Sequence, residues 1–148
     1  MKKISIGCDH GGFQLKQHVV NFLKSKNFEV LDLGCFNTDS VDYPDYGAKA
    51  AQAVAQGQVD AGVVICKSGV GMSIVANKVS GVRAALCLNE KMAEMSRRHN
   101  DANVICFGSE YVDEKLADQI LERWLSTDFE GGRHMERVKK IKRLDDSL

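Results

Sequence analysis

The stretch "AGVVICKSGVGMSIVANK", residues 61–78, decides the fold of this chain. Its first part, Ala61 to Cys66, is continuously apolar, which is typical of a strand in a parallel sheet that helices cover on both faces. A short Ser/Gly loop follows, and "GVGMSIVANK" then predicts a short helix. A strand that leads through a tight loop into a helix is the repeating unit of doubly wound α/β proteins.

The same strand-then-helix order occurs in four other segments. Strands are predicted at Lys3–Cys8, Phe28–Gly34, Val82–Leu88 and Asn103–Gly108. Helices are predicted within Gly11–Asn27, at Tyr46–Gln56 after the turn-like "VDYPDYG", at Asn89–Asn100 with Asn89 as N-cap, and from about Asp113 to Ser126. A basic helix is predicted from about Gly132 to the C-terminus. We therefore expect residues 1–148 to form a single α/β domain with a five-stranded parallel sheet and a C-terminal helix.

Composition narrows the class of protein. The chain has 148 residues, and its 20 basic residues balance 20 acidic ones, so there is no general attraction to nucleic acid or to an anionic membrane. The chain has five cysteines, an odd number without CxxC spacing, which argues against a closed framework of disulfides and favours reduced thiols in the cytosol. No apolar run approaches the length of a membrane span, and the N-terminus lacks the apolar core of a signal peptide. A cytoplasmic location is expected.

The loop "CKSGVG", Cys66 to Gly71, lies between a strand and a helix. Free backbone N–H groups and the positive end of the helix dipole favour an anion at such a place. The loop matches neither GxxxxGK[ST] nor GxGxxG, so nucleotide binding is disfavoured. The alternative is a tight turn with incidental glycines. Cys66 directly precedes these N–H groups and could act as a base or nucleophile, although a buried inert thiol is the common alternative.

Further polar residues are predicted near the ends of other elements. Asp9 and His10 follow the first strand, where they could contact a sugar oxygen and an anion, or could be a capping Asp beside an exposed His. His99 and Asn100 end the fourth helix, where His99 could be only a cap. With the strand ends, these groups predict that polar chemistry collects at one edge of the sheet.

Arg133 and Arg137 lie four residues apart, on one face of the predicted C-terminal helix. Two guanidinium groups on one face can bind a phosphate, whereas a solvated basic surface is the alternative. RNA binding is a rival use of this cluster, but no aromatic residue interleaves with the charges and no recognised RNA-binding motif is present.

In combination, these residues resemble the type B ribose-5-phosphate isomerases, relatives of bacterial galactose-6-phosphate isomerase subunits. The resemblance runs through "IGCDHGG", "DYPDY", "GVVICKSGVGMSIVANK", "SRRHNDANVICFGS" and "FEGGRHMERV", which together span almost the whole chain. It implies a Rossmann-like α/β/α sandwich that works without metal or organic cofactor. It also implies a homodimer or a dimer of dimers, in which the segment His99–Asn100 reaches the active site of the partner subunit.

The resemblance also implies roles for individual residues. Cys66 would be the base that moves a proton between C1 and C2 of the open-chain sugar phosphate, and Ser68 would position or protonate substrate oxygens. The N–H groups of Lys67, Ser68, Gly69, Val70 and Gly71 would bind the enediolate. His99, with Asp9 nearby, would open the furanose ring, and Asn100 would bind substrate. His10, Arg133 and Arg137 would hold the phosphate, while Tyr43 would line the pocket.

Two positions depart from the family pattern. Lys67 stands where many members have Gly, and Glu110 stands where many have an Arg that contacts phosphate. We hypothesise that Lys67 and Glu110 compensate each other or that Lys67 replaces the missing cation. The expected activity is interconversion of D-ribose 5-phosphate and D-ribulose 5-phosphate in the non-oxidative pentose phosphate pathway. A six-carbon substrate such as allose or galactose 6-phosphate, or a sugar-phosphate-binding protein without catalysis, is the alternative.

Overall fold

A computed structural model describes residues 1–146 of the chain. Within them it has five strands: β1 (Lys3–Cys8), β2 (Glu29–Asp32), β3 (Ala61–Cys66), β4 (Ala84–Leu86) and β5 (Val104–Gly108). The α-helices are α1 (Phe13–Ser25), α2 (Tyr43–Ala55), α3 (Val70–Asn77), α4 (Glu90–Asn100), α5 (Glu114–Leu125) and α6 (Arg133–Asp145). The predicted α/β class with a five-stranded parallel sheet and a C-terminal helix is confirmed.

The strands form one parallel sheet in the order β2-β1-β3-β5-β4. The chain leaves β3 for the edge strand β4 and then returns to place β5 between them. Cys8 is paired with Ile65, and Cys66 is paired with Gly108, so β1, β3 and β5 end at nearly the same level. The loops that follow these three strands are therefore neighbours at the carboxyl edge of the sheet.

Two apolar clusters cover the two faces of the sheet. One contains side chains of α1, α4 and α5, and the other contains side chains of α2 and α3. Successive residues of β3 alternate between the two clusters, as the twofold period of a strand requires. Val64 and Cys66 belong to the cluster under α2 and α3, so the Cys66 side chain lies on the face that α3 covers.

Some element ends differ from the sequence predictions. The helix α2 begins at Tyr43 rather than Tyr46, and the predicted turn is its first turn. Pro44 suits that turn because the first N–H groups of a helix need no partner inside it. The strand β4 keeps only the middle of the predicted Val82–Leu88. Asn89 is confirmed as the N-cap of α4, since its Oδ1 accepts a hydrogen bond from the N–H of Met92 at 2.8 Å.

The C-terminal helix α6 begins at Arg133, one residue after its predicted start. It contacts α4 and buries Val138. The predicted continuation of this helix through residues 147–148 lies outside the described residues. Among residues 1–146, no helix has both the length and the apolar character needed to cross a membrane.

Candidate active site

A cleft of about 410 Å³ opens at the carboxyl edge of the sheet, a size suited to a small ligand. Residues from the ends of β1 and β3 and from the starts of α2 and α3 form its walls. They are Asp9, Tyr43, Cys66, Lys67, Ser68, Val70, Gly71 and Ile74. Seven of these eight residues were singled out by the sequence. Ile74 was missed, although it follows Val70 by one helical turn and is 57% exposed.

The Cys66 thiol is held against the loop that follows it. Cys66 is 5% exposed, and its Sγ accepts a hydrogen bond from the N–H of Gly69 at 3.2 Å. Gly69 has a φ of +79°, which glycine adopts readily and other residues do not. A Cβ at this position would lie 2.9 Å from the backbone N of Gly108. Only glycine therefore lets the loop turn back onto the sulfur at this point.

The same loop presents backbone donors to the cleft. The N–H of Val70 donates to Ser68 Oγ at 3.2 Å. Gly71 and Met72 follow in the first turn of α3, where N–H groups have no acceptor inside the helix. Gly71 also permits close contact, because a Cβ there would lie 2.8 Å from the Tyr43 ring. The predicted anion-binding loop thus has free donors, while the N–H groups of Gly69 and Val70 are engaged with Cys66 and Ser68.

Asp9 and His10 are fixed by the backbone around them. Asp9 is 7% exposed, and its Oδ1 accepts from the N–H of Gly12 at 3.1 Å, so Asp9 caps the short turn His10–Gly12 as well as lining the cleft. The N–H of Val41 donates to Nδ1 of His10 at 3.1 Å. In a neutral imidazole the proton then lies on Nε2, which leaves Nε2–H as a donor.

Lys67 and Glu110 do not pair through their side chains. Among the described residues the salt bridges include neither side chain, and the link between the two is the Glu110 N–H, which donates to the Lys67 carbonyl at 3.0 Å. The stem of Lys67 instead lies across Gly11, where a Cβ would be 2.5 Å from Lys67 Cγ. Compensation through a direct ion pair is therefore not formed among the described residues, and Lys67 remains as an exposed cation at the cleft.

Burial distinguishes the thiols of Cys8, Cys87 and Cys106 from that of Cys66. Burial raises the pKa of Cys87 to about 11, and it raises the pKa of Cys8 and Cys106 further. These thiols stay protonated at neutral pH and do not line the cleft. Position in the sequence pointed to Cys66 among the five cysteines, and the lining of the cleft agrees with that choice.

The end of α4 lies at the opposite edge of the sheet. Arg83, which directly precedes β4, donates through Nε to the carbonyl of Asn100 at 3.0 Å. Ala84 is paired with Val104, the first residue of β5, whereas Cys66 is paired with Gly108, the last. At about 3.3 Å per residue, roughly 13 Å separates the two levels.

The prediction that all polar groups collect at one edge is therefore wrong for His99 and Asn100. The reason is that a helix between parallel strands runs back toward the start of the next strand, so its last residues lie at the amino edge. Within one chain, neither residue faces the cleft that contains Cys66. Asn100 instead lines a second cleft with side chains of α3 and α6.

Arg133 and Arg137 begin α6 beside the end of α4. Both are exposed, and within residues 1–146 neither forms an ion pair or side-chain hydrogen bond. Their spacing of four residues places them on one face of the helix, as predicted. They belong with His99 at the amino edge, so in a single chain they too lie apart from Cys66.

His134 is a residue that the sequence analysis missed. Its ring stacks on that of His99, with centroids 4.2 Å apart and an angle of 14° between the planes. The sequence did indicate that His134 is buried, because it precedes the apolar Val138 by one helical turn and so lies on the same inward face, away from Arg133. Burial, His99 and Arg133 hold the pKa of His134 below its usual range. Glu130, whose pKa is lowered by a hydrogen bond from Arg98, approaches the same pair.

Fold and site together define the class: a Rossmann-like α/β protein with a ligand cleft at the carboxyl ends of its strands, where a thiol, a carboxylate and backbone donors meet. Residues 4–141 match the model of the Ribose/Galactose Isomerase family. The chain belongs to this family.

Individual relatives support that assignment. The chain is 49% identical to ribose-5-phosphate isomerase B of Escherichia coli strain K12 over 141 residues, which cover 95% of each protein. The structure of ribose-5-phosphate isomerase B from Clostridium thermocellum is similar with a TM-score of 0.96 at 51% identity, covering 98% of both chains. A ribose 5-phosphate isomerase from Thermotoga maritima gives a TM-score of 0.93 at 44% identity, covering 96% of this chain and 98% of the other.

Proposed function

We propose that this chain is an aldose-ketose isomerase that interconverts D-ribose 5-phosphate and D-ribulose 5-phosphate in the non-oxidative pentose phosphate pathway. We further propose that residues 1–148 form one sugar-phosphate isomerase domain that acts in the cytoplasm, where five free cysteines remain reduced. The observation that carries the proposal is the position of Cys66 in a chain of this family. It lies at the mouth of a cleft beside backbone donors and Asp9.

The reaction needs a base and a place for negative charge. In the open-chain aldose, the Cys66 thiolate takes the proton from C2, and the electrons of that bond form the C1–C2 double bond while charge moves to O1. Return of the proton to C1 yields the ketose, with Ser68 and Asp9 moving the hydroxyl proton between O2 and O1. A positioned base contributes about 10² to 10⁴-fold to such a step.

The loop after Cys66 supplies the donors for the enediolate. Gly71 N–H is free in the first turn of α3, and the N–H groups of Gly69 and Val70 become available when substrate oxygens displace Cys66 and Ser68 as acceptors. A donor aimed at a developing oxyanion contributes about 3 to 4 kcal/mol. One short loop thereby holds both the base and the charge that the base creates.

Ring opening and phosphate binding require residues from the other edge of the sheet. His99 would open the furanose with Asp9, Asn100 would bind substrate, and Arg133 and Arg137 would bind the phosphate together with Nε2–H of His10. Because His99 and both arginines lie at the amino edge, a second copy of the chain must bring them to the cleft. We therefore propose a homodimer, or a dimer of dimers, with active sites shared between subunits.

The test is turnover by the purified protein with metal ions chelated. Ribose 5-phosphate, allose 6-phosphate and galactose 6-phosphate are supplied in parallel to the wild type and to Cys66→Ala. The matched control is Cys87→Ala, which removes a buried thiol outside the cleft. We expect turnover of ribose 5-phosphate that falls at least about 100-fold in Cys66→Ala and stays near wild type in Cys87→Ala.

Other outcomes lead to other conclusions. Preference for a six-carbon substrate would replace the pentose assignment while leaving the chemistry in place. Turnover that survives in Cys66→Ala would remove Cys66 as the base. Absence of turnover with every substrate would leave a sugar-phosphate-binding protein.

A further inference from the structure

Three potential metal ligands meet where α4 ends and α6 begins. His99, Glu130 and His134 each offer one ligand atom, and these atoms all lie within 4.8 Å of one another. His99 ends α4, His134 lies in the first turn of α6, and Glu130 lies in the loop before α6. Two imidazoles and a carboxylate form one of the ligand sets that Zn²⁺ uses in proteins.

His134 gives an independent reason to expect a ligand here. The residue is 5% exposed, and its Nε2 has no hydrogen-bond partner among the described residues. The nearest carboxylate oxygen, Oε1 of Glu130, is 3.9 Å from Nε2, which is too far for a hydrogen bond. A buried polar atom without a partner is costly, and the proposed isomerase chemistry does not use this one.

The carboxylate of Glu130 is oriented toward the histidines. Arg98 binds its other oxygen, Oε2, at 3.0 Å, which leaves Oε1 on the side of His134. The Glu130 N–H also donates to the Arg98 carbonyl at 3.0 Å, so the loop is fixed to the end of α4 at this residue. Such outer contacts hold a ligand in place and strengthen metal binding.

The separation of the rings fits a small metal ion after a modest adjustment. Zn–N distances near 2.0–2.1 Å in a tetrahedral site put two donor atoms about 3.3 Å apart. The rings of His99 and His134 are stacked with centroids 4.2 Å apart, and the candidate ligand atoms already lie within 4.8 Å of one another, so small side-chain rotations reach that spacing.

We propose that His99, Glu130 and His134 bind a divalent transition-metal ion, for which Zn²⁺ is the best match, with the fourth coordination position open. Arg98, Arg133 and Arg137 add positive charge nearby, so the affinity is lower than that of the same ligands in neutral surroundings. Binding takes up His99, the residue proposed to open the sugar ring. The metal is therefore an inhibitor, a consequence that depends on the proposed function, whereas binding itself does not.

Direct binding tests the site without any activity measurement. Zn²⁺ is titrated calorimetrically into chelator-treated protein carrying Cys66→Ala, which removes the thiol at the cleft as a competing ligand. Co²⁺ absorption then reports the ligand geometry. Glu130→Gln and His134→Gln are compared with the control His18→Gln. His18 also faces two carboxylates, but its two ring nitrogens pair with Asp118 and Glu114 separately.

We expect one metal ion per chain, bound at least about tenfold more weakly in Glu130→Gln and His134→Gln and unchanged in His18→Gln. Glu130 is exposed, so its variant remains informative if His134→Gln fails to fold. No binding to the parent, or equal binding by the parent and Glu130→Gln, would overturn the proposal.

The inhibitory consequence has a separate measurement. In protein that retains Cys66, the Zn²⁺ concentration that halves turnover should rise at least about tenfold in Glu130→Gln, each protein being compared with its own metal-free rate. If no protein turns over sugar phosphate, the proposed function fails while the binding experiment still decides the metal site. If turnover is present and Zn²⁺ inhibits both proteins equally, the inhibitory role of the site is overturned.

Discussion

The two edges of the sheet are built in different ways. At the carboxyl edge, much of the cleft wall is backbone that the strands hold in register. Gly69 lets this backbone approach the Cys66 sulfur closely, and Gly71 lets it approach the Tyr43 ring. At the amino edge, the candidate groups are side chains at the ends of α4 and α6, and Arg133 and Arg137 are exposed. The first region lies within one chain, whereas under the proposed function the second would act on the same substrate only through a partner subunit.

Because of this difference, substitutions at the two edges should affect stability and substrate binding differently. Changes at the carboxyl edge disturb structure and chemistry together, because the loop is packed against neighbouring strands. Changes to the exposed arginines at the amino edge remove charge from a surface that the fold does not need.

Gly69→Ala should be the most damaging change in the cleft loop. Its φ of +79° disfavours alanine, and the new Cβ would lie 2.9 Å from the backbone of Phe107 and Gly108. Chemical denaturation should show a loss of about 3 kcal/mol in the free energy of unfolding. The control is Gly57→Ala, which has a φ of +72° and open space around the Cβ, so it should lose only about 1 kcal/mol. Equal losses would show that the loop is not held by its neighbours.

Arg137→Ala should show the reverse pattern at the amino edge. The free energy of unfolding should change by no more than about 0.5 kcal/mol, because Arg137 is exposed and unpaired within residues 1–146. The KM for ribose 5-phosphate should rise about 10- to 100-fold through loss of a charge-assisted phosphate contact. Lys142→Ala, on another face of α6, is the control and should leave KM unchanged. A large loss of stability with KM unaltered would contradict this difference between the two edges.

The stability of the protein at alkaline pH should report the buried thiol of Cys87. Burial raises the pKa of Cys87 from 9.0 to about 11, so the folded state keeps a proton that the unfolded state releases. Its contribution is complete below pH 9 and is lost as the pH rises toward 11, a decline of roughly 2 to 3 kcal/mol. The free energy of unfolding, measured by denaturation at each pH across this range, should therefore fall less steeply with pH in Cys87→Ala than in the wild type. A decline as steep as that of the wild type would remove Cys87 as its source.

Lys67→Gly should have the smallest effect of the set. Lys67 is exposed at the cleft and would contribute its charge to phosphate binding, worth about 1 kcal/mol at such a site, so KM for ribose 5-phosphate should rise about fivefold with kcat preserved. Lys67→Arg, which keeps the charge, should behave like the wild type. An unchanged KM in Lys67→Gly would show that the substrate does not use this cation.

Local sequence patterns predicted much of this architecture. Strand periodicity and the loop from Cys66 to Gly71 predicted the parallel sheet and six residues of the cleft, because the carboxyl ends of parallel strands must share an edge. Tyr43, the seventh, was implied only by the family resemblance. The end of α4 was misplaced because a helix that connects parallel strands runs back to the amino edge, a consequence of the predicted parallel order that was not applied to this helix. His134 was missed because its stacking on His99 joins segments that only tertiary packing brings together.

In the proposed homodimer, each active site combines the carboxyl edge of one chain with the amino edge of another. Mixing Cys66→Ala with His99→Gln under conditions that exchange subunits tests it directly. Mixed dimers would contain one intact site, so activity should recover to about one quarter of the wild-type value. Mixing Cys66→Ala with Asp9→Asn, whose changes lie on the same edge, should restore nothing. Absence of recovery in the first mixture, with mixed dimers verified by mass spectrometry, would show that the active site is not shared between subunits.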